Sequence, residues 1–212
     1  MEFDTLLEIV GEDPVFESSI LLAGNVDPRT IRIQLSRWVK ANKIYQLRRG
    51  LYSIAPPYQK TQPHPFLVAN HFQHASYVSL QSALSFYGLI PDVVNMTTSV
   101  STGRPGRFET PLGTFQYRHV MTSLLFGYQL TELGGQSALV AAPEKALLDL
   151  IYLQPGGDSP DYLNELRLQN TDKLDRDSLR KQSEAFNSPK LRNAVKNILR
   201  LISGETGEFE DL

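Results

Sequence analysis

Apolar residues at Phe3, Leu6, Leu7 and Val10 recur at the three-and-four spacing that gathers side chains on one face of a helix. The pattern predicts a short first helix that stops near Gly11. After Pro14 a second apolar-periodic stretch, Val15 to Ala23, predicts another short helix, ended by Gly24 and Asn25. Asp27 then offers an N-cap carboxylate and Pro28 suits a first helical position, so a third helix is predicted over residues 28–42. Helical periodicity places Ile31, Leu35, Trp38, Val39 and Asn42 on one side of it, with Arg29, Arg32, Ile33, Ser36, Arg37 and Lys40 spread over the other. The run from Ile44 to Ile54 reads as two apolar-rich strands around Arg48, Arg49 and Gly50, a β-hairpin with the arginines near its tip.

Pro56, Pro57, Pro63 and Pro65 bracket a polar stretch that cannot continue the hairpin, which predicts a boundary between a first domain, 1–60, and a second, 61–212. In the second, Phe66 to His74 predicts a helix, and Ser79 is placed to cap the next, which ends at Gly88. Val93 to Val100 is β-branched and Thr-rich and predicts a strand. Phe108 to Val120 contains a turn at Pro111, Leu112 and Gly113 between two strand-like runs, and Tyr128 to Leu133 and Ala138 to Ala142 add short apolar runs around Gly134 and Gly135. Pro143 opens a helix to Leu153 whose apolar residues are so dense that it must be largely buried. Beyond the break at Pro155, Gly156 and Gly157, helical segments are predicted around Asp161–Gln169, Arg176–Phe186 and Pro189–Ile202. The last carries an apolar face beside a basic one, which suits packing on the domain or a partner. The fold class expected is α+β: an N-terminal winged helix-turn-helix, then a larger mixed α+β domain with terminal helices.

Composition alters this picture little, but charge distribution alters it strongly. A hydrophobic content of 41% and a charged content of 21% are ordinary for a globular chain of 212 residues. The absence of Cys excludes disulfides and thiolate metal sites. No signal peptide or apolar run of bilayer length is evident, so a cytoplasmic protein without a membrane partner is expected. The net charge is only −2, yet residues 28–91 hold eight Lys or Arg and no Asp or Glu. The acids concentrate elsewhere, among them the stretch Gly204 to Leu212.

A basic helix face, a basic hairpin tip and no acid near them in sequence predict a surface for a polyanion, here double-stranded DNA. The candidate contacts are Arg29, Thr30, Arg32, Ile33, Ser36, Arg37, Lys40, Lys43, Arg48 and Arg49. Arg29 and Arg37 suit guanine edges, whereas Lys40, Lys43, Arg48 and Arg49 suit phosphates. If the strands near them pair, Arg104, Arg107, Arg118 and His119 form a second basic patch. Gly103 to Arg107 lacks the ending of a phosphate loop and reads as a turn. His64, His71 and His74 form an incomplete ligand set, so no metal and no cofactor is expected. Glu144, Lys145 and Asp149 fit a metal-dependent nuclease in residue type but share one helix, and no catalytic residue is assigned. A protein-binding adaptor is the remaining alternative.

Three blocks then carry a resemblance: Arg48 to Tyr52, Tyr77 to Leu89, and Pro143 to Tyr152. In this order they resemble the abortive-infection E family of antitoxins (AbiEi-like), over roughly residues 1–153. The resemblance implies a regulator that binds inverted repeats in its own promoter through the first domain. It also implies that the second domain counters a co-encoded nucleotidyltransferase toxin without a stable complex between them. A regulator with the same architecture and no toxin partner stays open.

Overall fold

The computed structural model describes residues 1–23, 26–92 and 94–203. The predicted turn at Gly24 and Asn25, the start of the predicted strand at Val93 and the acidic stretch 204–212 lie outside these residues.

Helix α1, Phe3–Val10, buries Phe3, Leu6 and Val10 and ends at Gly11, whose φ of 62° suits a residue without a Cβ. The helix expected over Val15 to Ala23 is not formed. Strand β1, Phe16–Glu17, occupies its start and a 3₁₀ turn, Ser18–Leu22, the rest. Pairing with a distant strand overrides the local pattern: Phe16 lies opposite Tyr52 and Glu17 opposite Leu51. The Phe16 and Tyr52 rings stack at 5.8 Å, and Ser18 N donates to Gly50 O at 2.8 Å.

Helix α2, Pro28–Lys40, starts as the sequence predicts, with Asp27 Oδ1 accepting from Arg29 N at 2.9 Å, and ends two residues early. Asn42 turns the chain at φ 53° into β2, Ile44–Arg48, which hairpins through Arg49 and Gly50 into β3, Leu51–Ile54. The three strands form an antiparallel sheet in the order β1-β3-β2. Ile31, Leu35 and Trp38 of α2 meet Phe3, Leu6, Ile44 and Tyr52 in one small core, where Phe3 packs edge-on to Trp38 at 5.5 Å.

The remainder is built on a six-stranded mixed sheet. Helix α3, Pro65–Phe72, is capped by His64, whose Nδ1 accepts from Phe66 N at 3.1 Å. It is shorter than predicted because the chain turns at Gln73 into β4, Ser76–Val78, a strand the sequence did not reveal. Helix α4, Leu80–Phe86, follows without a side-chain cap, since Ser79 Oγ donates to Asp149 instead. The strands β5 (Thr97–Ser101), β6 (Gly106–Thr110), β7 (Gly113–His119), β8 (Tyr128–Glu132) and β9 (Ser137–Ala141) complete the order β6-β7-β5-β4-β9-β8. The β4–β9 and β5–β7 pairs are parallel and the others antiparallel.

Helix α5, Pro143–Leu153, is the buried helix expected, packed on α4 and against the last two helices of the described chain. Helix α6 is limited to Pro160–Glu165, because Arg167 at φ 45° and Asn170 at φ 47° break the longer helix predicted there, and Gln169 N donates to Leu89 O at 2.9 Å. Helices α7, Arg176–Ala185, and α8, Pro189–Ser203, close the described chain, with Leu191, Ala194, Val195 and Ile198 of α8 buried. The larger core takes in Val15, Leu47 and Leu51 from the amino-terminal elements, so the two parts meet along an apolar seam. Among the described residues no helix is long and apolar enough to cross a membrane.

Candidate functional site

Anchored by Ile31, Leu35 and Trp38, α2 turns Arg29, Thr30, Arg32, Ile33, Ser36, Arg37 and Lys40 to solvent on one continuous face. Arg37 and Lys40 lie in the last turn, where cations complement the helix dipole, and Asp27 complements it at the other end. Between α2 and the hairpin runs an open groove of about 660 Å³, with Arg32, Ser36 and Lys40 on one wall and Gln46 and Arg49 on the other. Ile31, Leu35, Val39 and Tyr52 contribute its apolar floor. Such a groove offers a phosphate ridge cations and hydroxyl donors from both sides. Ile33 is 55% exposed on the same helix face, an apolar side chain among the basic ones.

Two expected members lie elsewhere. Lys43 Nζ sits 4.5 Å above the Phe3 ring and 5.7 Å from that of Tyr58, a cation–π site beside α1. Arg48 is spent on the seam between the two parts. Its Nε donates to Phe72 O at 2.7 Å and Nη2 to His71 O at 3.2 Å, so the arginine caps the end of α3. Nη2 also meets Glu17 Oε1 at 3.4 Å, and His74 Nε2 lies 3.3 Å from the same carboxylate. Linear sequence puts no acid near Arg48; the β1–β3 pairing brings one from 31 residues away. His71 is held below its ordinary pKa by burial, with Glu17 opposing.

Strands β6 and β7 do pair, with Arg107 opposite Gln116, yet the second patch is largely engaged. Arg107 bridges to Glu109 at 3.2 Å, Arg118 Nη2 donates to Leu153 O at the end of α5 at 2.8 Å, and His119 Nδ1 lies 3.0 Å from Gly103 O. Arg104 is exposed. Gly103 to Arg107 leads into β6, not into a helix. Among the described residues no three His, Asp or Glu side chains converge as metal ligands.

Glu144, Lys145 and Asp149 all point inward. Asp149 accepts from Tyr77 Oη at 2.9 Å, from Ser79 Oγ at 2.8 Å and from Lys145 Nζ, which also donates to Tyr77 Oη at 2.7 Å. The rings of Phe186 and Phe126 close over Lys145 Nζ at 4.7 and 4.9 Å. Burial pushes the Asp149 carboxyl up and the Lys145 amine down, each opposed by the other's charge. Glu144 accepts from Asp175 N at 2.7 Å. The sequence signal for this network was the (i, i+4) spacing of Lys145 and Asp149; nothing local announced Tyr77 or Ser79 as partners.

No protein-family model matches the chain, and no curated protein matches it.

Proposed function

We propose that the protein is a DNA-binding transcriptional regulator whose residues 1–60 act as a winged helix-turn-helix. In this reading α2 is the recognition helix, the 3₁₀ turn Ser18–Leu22 replaces the helix before it, and β2–β3 is the wing. The observation that carries it is the outward face of α2 from Arg29 to Lys40, which holds no acid and shares a groove with Arg49. Arg29 and Arg37 read base edges, Ile33 meets a methyl group, and Arg32, Lys40 and Arg49 hold phosphates. Two copies on inverted half-sites would repress the protein's own promoter by occupancy. Antagonism of a co-encoded nucleotidyltransferase toxin extends this reading and is supported by the three sequence blocks alone. The nuclease alternative is disfavoured because Lys145 and Asp149 have no solvent-facing atoms.

The test is binding to the DNA upstream of the gene over a salt series. Affinity falls steeply with salt for the wild type, and Arg49→Ala flattens the slope by about 0.9 for each phosphate the variant leaves un-neutralised. Arg37→Ala costs about 1–3 kcal/mol on the preferred repeat and less on unrelated DNA. Salt-insensitive binding, or none, would overturn the reading in favour of an adaptor. Co-expression with a neighbouring nucleotidyltransferase gene tests the antitoxin part through rescue of growth.

A further inference from the structure

Along β7 the chain alternates Phe115, Gln116, Tyr117 and Arg118, so successive side chains fall on opposite faces of the sheet. Phe115 and Tyr117 take the α3 face: Phe115 stacks on Phe72 at 5.9 Å, and Tyr117 Oη donates to Ala69 O at 2.7 Å. Gln116 and Arg118 therefore face the side of α4 and α5, where a helix-covered sheet is ordinarily apolar. Beside them on β5, Thr98 lies opposite Gln116. Thr98 has its partners, since Oγ1 donates to Ser79 O at 2.7 Å and accepts from Ser82 N at 3.0 Å. With Gln81 of α4 and Gln154 just beyond α5, these residues line a cleft of about 60 Å³, whose apolar wall is Leu80, Leu150 and Leu153.

Donors around this cleft outnumber their acceptors. Among the described residues Arg118 gives one bond, from Nη2 to Leu153 O, which leaves Nε and Nη1 without a partner. The side-chain amides of Gln81, Gln116 and Gln154 bond to no described residue. No carboxylate lines the cleft, and among the described residues Arg118 bridges to none. On the adjoining strand Arg107, opposite Gln116, is neutralised by Glu109. The carbonyls at the end of α5 are covered as well, because Lys190 Nζ donates to Tyr152 O at 3.2 Å and also to Gln154 O. An anchored guanidinium and three free amides, with no acid among them, suit an anion that accepts from several sides. We propose that the cleft binds a phosphate group, free or at the end of a small phosphorylated molecule. Arg118 supplies the charge, and Gln81, Gln116 and Gln154 supply neutral donors. Size sets the class. A volume of about 60 Å³ matches roughly two waters. Pockets that enclose a whole small molecule start near ~300 Å³. Gln81 is exposed, so the body of a larger ligand leaves the cleft past it. The cleft shares no residue with the α2 groove and does not depend on the DNA reading.

Calorimetric titration of the full chain with inorganic phosphate, against sodium chloride of equal ionic strength, tests the site. Saturable binding of one phosphate per chain is expected. Gln116→Leu and Gln81→Ala each weaken it about 10-fold, the loss of one hydrogen bond to a charged group. Arg118→Lys, which keeps the charge without the planar fork, weakens it by about 10-fold or more. Gln81 is exposed, so its truncation leaves the fold intact and that arm stands even if a buried variant unfolds. Arg37→Ala with Arg49→Ala leaves phosphate binding unchanged, which separates the cleft from the α2 groove. Heats no larger than those of chloride overturn the proposal. So does binding that survives the cleft substitutions and is lost with Arg37 and Arg49. Ribose 5-phosphate distinguishes the sources: it binds at least as tightly as inorganic phosphate where the group arrives on a larger molecule, and about 10-fold more weakly where the free anion is the ligand. Acetate, planar and with fewer acceptor sites, binds more weakly than either phosphate, and acetate binding as tightly as both overturns the choice of phosphate.

Discussion

Asp149 shows how a single side chain is committed by its surroundings. Enclosed with Lys145, its carboxyl group has both oxygens satisfied, by Tyr77, Ser79 and the amine. Removing one partner strands the other, so Lys145→Met is expected to cost about 3–5 kcal/mol in urea unfolding, whereas Lys145→Met with Asp149→Leu recovers much of that loss. Tyr117 makes a simpler case, since its hydroxyl donates to Ala69 O at 2.7 Å and burial pushes its pKa well above the ordinary value of 10.0. The folded state therefore keeps a proton that the unfolded chain gives up above pH 10, so Tyr117 stabilises the fold fully below that pH and the contribution is lost as pH rises further. Tyr117→Phe is expected to cost about 1 kcal/mol at neutral pH. Above pH 10 it also makes the decline of stability shallower by up to about 1.4 kcal/mol per pH unit, read from urea midpoints across an alkaline series.

Helix α2 is the element on which the functional reading turns, and its two faces separate stability from affinity. Leu35 is 2% exposed in the small core, so Leu35→Ala is expected to lower unfolding free energy by about 2–5 kcal/mol. If α2 reads DNA as proposed, Ile33→Ala leaves stability nearly unchanged and weakens binding to the upstream DNA, which calorimetry and a binding titration on the same samples distinguish. Helix α2 was legible because Asp27, Pro28 and a clean amphipathic period all speak locally, and α5 was legible because Pro143 opens an unbroken apolar run. The strands β1 and β4 were not, since two or three residues carry no period of their own and are specified by Tyr52, Leu51 and Ser99 to Ser101 across the sheet. The same limit governs the candidate site. The α2 face could be read from periodicity, but Lys43 and Arg48 were assigned by charge alone, and their aromatic and carbonyl partners come from other elements.

At the scale of the whole molecule, what matters is whether the amino-terminal elements move as an independent body. Val15, Leu47 and Leu51 lie in the larger core, and Arg48 ties β2 to the end of α3 through two carbonyls while Glu17 faces it from β1. These interactions fix the hairpin, and with it Arg49, relative to the six-stranded sheet. The chain contains one Trp, Trp38, and it reports only the small core, whereas most helical residues lie beyond residue 61. Urea unfolding followed by Trp38 fluorescence and by far-ultraviolet circular dichroism is therefore expected to give coincident midpoints in the wild type, as one cooperative unit requires. Arg48→Ala leaves the His71 and Phe72 carbonyls without their donor and loosens the seam. The Trp38 transition then moves to lower urea, by an amount corresponding to about 1–3 kcal/mol, and separates from the dichroism signal. Two transitions that already differ in the wild type would show the seam to be too weak to couple the parts, and the hairpin to be free to adjust its angle to α3.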